Sequence, residues 1–173
     1  MASFFLSRID KAVDPMIEKI INYDNRKKKI AEEALGEVAI SSAKLAYQIY
    51  KEVFESARFK ALEEKGARAQ RLLWASTSNK NPMYSNVKYI EALIAANTVN
   101  TVPPKTLDAY RDHGNPKLVL EQNVRKAKRI LTNLPELVIN IDEITQQLEE
   151  DGIRKFNKPF DKLMEALANK SST

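Results

Sequence analysis

The sequence predicts an α/β fold built on parallel strands. Three observations carry that reading. The chain opens on an apolar run, Ala2-Ser3-Phe4-Phe5-Leu6, which turns polar at Ser7 and Arg8. Two further short β-like runs lie near 70–76 and 98–102, and the segments between the three runs carry helical periodicity. A run apolar on both faces belongs inside a parallel sheet. Strands separated by helices pair in parallel, because an antiparallel pair needs only a tight turn between its members. Polar residues at the carboxyl ends of such strands are where α/β proteins carry out their chemistry.

Taken in order, the opening strand spans about 2–8. Asp14 then reads as the N-cap of a helix with Pro15 in its first turn and Met16, Ile20 and Ile21 on its apolar side. Gly36 interrupts the next stretch. From Ile40 the residues Ala43, Ala46, Tyr47, Tyr50, Val53, Phe54, Ala57 and Leu62 recur at three and four, which predicts one long amphipathic helix ending at Gly66. Gln70 to Ala75 switches to a strand, bounded downstream by the polar cluster Ser76-Thr77-Ser78-Asn79. Pro82 to Ala95 reads as a helix with Val87, Ile90, Leu93 and Ile94 inward, and Thr98 to Val102 as a strand closed by Pro103-Pro104. Phe4, Leu6, Leu73 and Val99 are the expected inward-facing apolar residues of the three strands.

The rest is a helical tail over 105–170. One helix ends at Gly114 and another, from Leu118 to Leu134, stops at Pro135. Asp142 is placed to cap a third. Phe156, Phe160, Leu163, Met164 and Leu167 then form a stripe, expected to pack on the wall of the fold, with Pro159 beginning a turn inside it. The whole chain, 1–173, reads as a single domain.

Composition removes several functions. There is no cysteine, so disulfides, thiolate nucleophiles and thiolate metal sites fall away, and a reducing cytoplasm is the expected location. The single histidine, His113, sits at a helix end, where a cation suits the helix dipole, and cannot build a His-rich metal site. No apolar run approaches the roughly 18 to 20 residues needed to cross a bilayer, and the basic lead-in of a signal peptide is missing. The net charge is +5, yet the one dense basic cluster, Arg26-Lys27-Lys28-Lys29, is followed at helical spacing by Glu32 and Glu33. Mixed signs at that spacing describe a solvated helix face, and no aromatic-basic RNA motif appears, so nucleic acid is not expected as a partner.

Several separated motifs resemble the C-terminal part of the longer bacterial transaldolases. They are Ala2-Ser3-Phe4-Phe5-Leu6-Ser7-Arg8-Ile9-Asp10, the run Ala43 to Tyr50, and the run Lys65 to Thr77 with Leu72-Leu73-Trp74-Ala75-Ser76-Thr77 at its end. Lys80-Asn81-Pro82 with Tyr84-Ser85, Asn100-Thr101-Val102-Pro103-Pro104 with Thr106-Leu107, and Arg111-Asp112-His113-Gly114 follow in family order. The resemblance implies about the last three strands of a (β/α)8 TIM barrel with additional C-terminal helices. It also implies a transferase of the pentose phosphate pathway, which moves a dihydroxyacetone unit between sugar phosphates of the fructose 6-phosphate and sedoheptulose 7-phosphate class.

The resemblance further implies a Schiff base on a lysine, with carboxylates moving protons and no cofactor or metal. The family's lysine motif does not occur in this sequence. The resemblance places that lysine and the acid/base carboxylates upstream, so no catalytic residue is assigned here and the missing N-terminal half of the barrel becomes the expected partner. Lys44, Lys51 and Lys60 belong to helical surface patterns, where an exposed, protonated amine is expected.

By the same resemblance Ser3 and Arg8 hold the sugar phosphate, Phe5 lines the active site, and Lys80 stands near a second phosphate-binding position. Physically, a guanidinium offers phosphate a planar fork of donors, and a hydroxyl adds one more. A separation of five places Ser3 and Arg8 on opposite faces of an extended strand, so Arg8 is expected in a loop past the strand end. The competing reading pairs Arg8 with Asp10 or Asp14 on the surface. Ser78-Asn79 departs from the Gly-Thr usual in the family, which predicts a stiffer loop before Lys80. A different class of function, a non-catalytic module binding sugar phosphates or anions through Ser3, Arg8 and Lys80, fits the same residues.

Overall fold

A computed structural model describes residues 1–171, in two compact units. The first, Met1–Ile139, is an α/β unit. Its strands β1 (Ala2–Phe5), β2 (Leu72–Ala75) and β3 (Thr98–Asn100) form one sheet in the order β1-β2-β3, with every pairing parallel. The parallel α/β class expected from the sequence is therefore what the chain adopts.

The register divides the expected inward residues. Ser3 stands beside Leu73 and Val99, with Phe5 beside Ala75, on one face. Phe4 stands beside Trp74 and Asn100 on the other. Side chains alternate along a strand, so Phe4 cannot share a face with Leu73 and Val99. Its ring instead meets Trp74 edge-on, with centroids 5.9 Å apart, and Trp74 is wholly buried. Leu6 lies past the strand and is also wholly buried.

Helix α1 (Ser7–Tyr23) starts almost at once after β1, so the strand ends at Phe5, short of the expected 2–8. Its buried stripe is Ile9, Val13 and Ile17 together with Asp10 and Asp14. Met16 is 40% exposed and Asp14 is mid-helix, so neither plays the part read from the sequence. Pro15 lies inside the helix; it and Lys11, whose carbonyl it deprives of a partner, are both exposed, so that carbonyl has water to turn to.

Helix α2 (Lys28–Ala34) leads through Gly36, at φ +69°, into α3 (Val38–Phe54). The predicted long helix is broken after Phe54, where the Ser56 side chain accepts from the Phe59 amide at 3.2 Å and caps a separate α4 (Ala57–Glu63). Helix α5 (Lys88–Glu91) is a single turn in place of the longer one expected over 82–95, though Val87, Ile90 and Leu93 are buried as anticipated and Ile94 is half-buried. Helix α6 (Pro104–His113) ends at Gly114, and α7 (Val124–Asn133) runs into a 3-10 turn over Leu134–Leu137 that contains Pro135. Helices α1, α2, α3 and α7 pack on one another through Val13, Ile17, Ala31, Val38, Ala43, Ala127 and Ile130.

The second unit, from Asn140, holds α8 (Ile141–Ser171). Its cap is Asn140, whose side chain accepts from the Asp142 amide at 3.1 Å, so Asp142 falls in the first turn. The helix continues through Pro159. Phe156, Phe160, Leu163, Met164 and Leu167 are between 50% and 74% exposed.

Candidate functional site

The carboxyl edge of the sheet gathers the start of α1, the loop 76–87 and the segment 101–103. Two backbone bonds carry the sheet pattern past β1: Leu6 N–H donates to the Ala75 carbonyl and Ser7 N–H to the Ser76 carbonyl, both at 3.0 Å. Ser76 has φ +53°, a left-handed conformation that a non-glycine residue adopts at a cost of about 1–2 kcal/mol. It turns the chain at the end of β2. Thr77, wholly buried, then donates its hydroxyl to the Thr101 carbonyl at 2.8 Å and fixes the loop to the segment after β3.

Ser3 is exposed on β1, and Phe5, two residues on and on the same face, is 43% exposed. Arg8 lies in the first turn of α1, not in a loop. That helical turn carries it back over the strand: its guanidinium carbon is 5.0 Å from the Phe5 ring centroid. A cation over an aromatic face is held by the ring quadrupole without being neutralised. Among the described residues Arg8 makes no ion pair, and neither acid proposed as its surface partner is free to serve.

Asp10 and Asp14 are 2% and 5% exposed. Asp10 accepts from the Ala39 amide at 2.8 Å, the Tyr89 hydroxyl at 2.7 Å and the Lys88 ammonium at 3.4 Å. Asp14 accepts from the Gly36 amide at 2.9 Å and the Tyr84 hydroxyl at 2.8 Å. Burial pushes the Asp14 carboxyl above the ordinary aspartate value, with repulsion from Asp10 adding and the Gly36 amide opposing. Burial, with the adjacent aspartates, pushes both phenols up, so they remain donors. Sequence reading missed this cluster, because aspartates in a helix count as solvent-facing. The signal was their spacing: Asp10 and Asp14 repeat one helical turn apart, in step with Ile9, Val13 and Ile17.

The raised Asp14 value carries a pH prediction. Between the unfolded value, about 3.9, and the higher folded one, the folded chain binds more protons than the unfolded chain. Stability therefore falls as pH rises through that window and levels off above it. Asp14→Asn is expected to flatten that fall, measured by denaturant melts from about pH 4 upward. An unchanged slope would assign the pH dependence to other groups.

Lys80 is exposed, and among the described residues it makes no hydrogen bond or ion pair with Ser3 and no ring contact with Phe5. The loop around it is organised by Asn79. Its amide donates to the carbonyls of Asn81 at 2.7 Å, Tyr84 at 2.6 Å and Ser85 at 3.2 Å, and its oxygen accepts from the Asn81 amide at 2.9 Å. Asn79 is thus the side-chain hub of the loop. Lys44 departs from the surface role expected of it. Its ammonium is half-buried and donates to the carbonyls of Val119, Leu120 and Gln122 at 2.9, 3.2 and 2.8 Å. Burial lowers its pKa, but three acceptors for three N–H bonds keep the proton on, and an ammonium is no nucleophile.

The family assignment rests on nearly the whole chain. The sequence model of the family described as Transaldolase/Fructose-6-phosphate aldolase matches residues 1–167. The chain belongs to the transaldolase/fructose-6-phosphate aldolase family. It is 49% identical over 174 residues to a transaldolase of Trichodesmium erythraeum, covering 98% of this chain and 46% of that protein. It is 47% identical over 177 residues to transaldolase 2 of Nostoc punctiforme, with the same coverage. With a transaldolase of Neisseria meningitidis serogroup A it shares 39% over 167 residues, 96% of this chain and 44% of the relative. The chain thus spans about half the length of the transaldolases it matches. Among the described residues no helix is long and apolar enough to cross a membrane.

Proposed function

We propose that this chain supplies the phosphate-binding portion of a cytoplasmic transaldolase, about the last three strands of its (β/α)8 barrel. The reaction transfers a dihydroxyacetone unit between sugar phosphates in the pentose phosphate pathway. One observation carries the reading: Arg8 stands over Phe5 at the carboxyl edge of the sheet, charged and, among the described residues, without a carboxylate partner, while both nearby aspartates are committed elsewhere. A half-buried guanidinium left unneutralised is suited to an anionic ligand. Ser3, on the same strand face as Phe5, adds a hydroxyl, and Lys80 a second cation.

In this reading the imine-forming lysine and the acid/base carboxylates come from outside residues 1–173. The test is borohydride trapping with fructose 6-phosphate on the isolated chain, followed by peptide mapping. No specific adduct is expected. A single modified lysine within the chain would overturn the assignment and make that lysine the nucleophile.

A further inference from the structure

The buried cluster on α1 has one member that reaches into the loop carrying Lys80. Tyr84 donates to Asp14, and its ring lies 3.6 Å from the Lys88 ammonium. Its seat is cut to fit: a Cβ on Gly36 would fall 2.6 Å from the Tyr84 ring carbon and from its hydroxyl oxygen, so only glycine leaves the ring its place. Lys88, in turn, bonds the Gly36 carbonyl and Asp10. The backbone carbonyl of Tyr84 accepts from Asn79, the residue immediately before Lys80.

A chain of contacts therefore runs from Lys80 through Asn79 to Tyr84, and from Tyr84 to Asp14 on the helix that carries Arg8. Within 76–87, Tyr84 makes the one described side-chain hydrogen bond to α1; just beyond the loop, Lys88 and Tyr89 bond Asp10 of the same helix. The loop's upstream end is held separately, at Ser76 and Thr77. Two cations on different segments act as one anion site only if their separation is held, and an exposed lysine on an unanchored loop would have to be ordered each time a ligand arrived.

We propose that Tyr84 is a positioning residue that sets Lys80 relative to Arg8, through its hydroxyl bond to Asp14, so that both reach one sugar phosphate. The proposal rests on the phosphate reading of Arg8 and Lys80. Nothing in it requires Tyr84 to touch the ligand.

The test is a double-substitution cycle on the full chain, with fructose 6-phosphate as the titrated ligand and a thermal melt of each variant. Tyr84→Phe is expected to weaken binding about three- to tenfold and to have no further effect in the Lys80→Ala background. Asp14→Asn, whose amide can donate to the tyrosine oxygen while its carbonyl keeps the Gly36 bond, should retain affinity. Equal losses from Tyr84→Phe with and without Lys80 would make its role merely structural and overturn the proposal, as would unchanged affinity in Tyr84→Phe. Should Tyr84→Phe melt below the assay temperature, undiminished affinity in Asp14→Ala, which removes the tyrosine's acceptor, would overturn it instead. If Lys80→Ala leaves affinity untouched while Arg8→Ala does not, the reading of Lys80 fails and this inference falls with it. No binding by the unsubstituted chain would overturn the phosphate reading itself.

Discussion

Arg8→Ala, made in a complete enzyme carrying this segment, is expected to lower kcat/KM for sugar phosphates roughly tenfold or more, chiefly through KM. A charge-assisted hydrogen bond to a partly buried ligand is worth about 1.5 to 3 kcal/mol, which sets the scale of that loss. The structure removes the main objection, that Arg8 is a surface ion-pair residue. Asp10 and Asp14 are buried and already accept from Ala39, Tyr89, Lys88, Gly36 and Tyr84. Arg8→Lys should recover only part of the loss, because an ammonium keeps the charge but not the planar fork. Lys80→Ala should cost less than Arg8→Ala, since Lys80 is exposed and offers a point charge. Steady-state kinetics of the three variants decide the matter; unchanged values for Arg8→Ala would end the phosphate reading of this residue.

How much of this was legible beforehand differs by element, for physical reasons. The three strands were visible because short apolar runs flanked by polar clusters have few other uses, and helices between them left parallel pairing as the outcome. The start of α1 was not. Its inner stripe contains two aspartates, so the helical period is masked wherever acids are counted as polar, and Pro15 and Asp14 then imitate a helix start. Only the partners of those acids, Gly36, Ala39, Tyr84, Lys88 and Tyr89, explain why burying them is tolerable, and all lie far along the chain. The break between α3 and α4 was masked in the opposite way. The apolar period continues across Ser56, whose side chain nevertheless caps a new helix. For the site, the residue types were readable, but the route by which Arg8 reaches Phe5 required knowing that a helix, not a loop, follows the strand.

The largest change is expected on completing the sheet. In the order β1-β2-β3 the outer edges of β1 and β3 have no strand beside them among the described residues, and exposed strand edges carry unpaired backbone donors and acceptors. The face holding Ser3 and Phe5 also holds Leu73 and Val99, none of them fully buried. Phe4 and Leu6 do not belong to that surface, since Phe4 packs on Trp74 and Leu6 is wholly buried. In the proposed barrel, further strands would pair with both edges and cover that face, and one of them would bring an imine-forming lysine to the same carboxyl edge as Arg8. Mixing this chain with a polypeptide covering the remaining length of a matching transaldolase is therefore expected to improve solubility. It should also turn undetectable transfer between fructose 6-phosphate and an aldose phosphate into measurable turnover. The gain should depend on a lysine of the added polypeptide, shown by losing it on substitution of that lysine. A well-folded, monomeric chain that neither binds its counterpart nor gains activity would instead support a stand-alone module binding sugar phosphates through Ser3, Arg8 and Lys80.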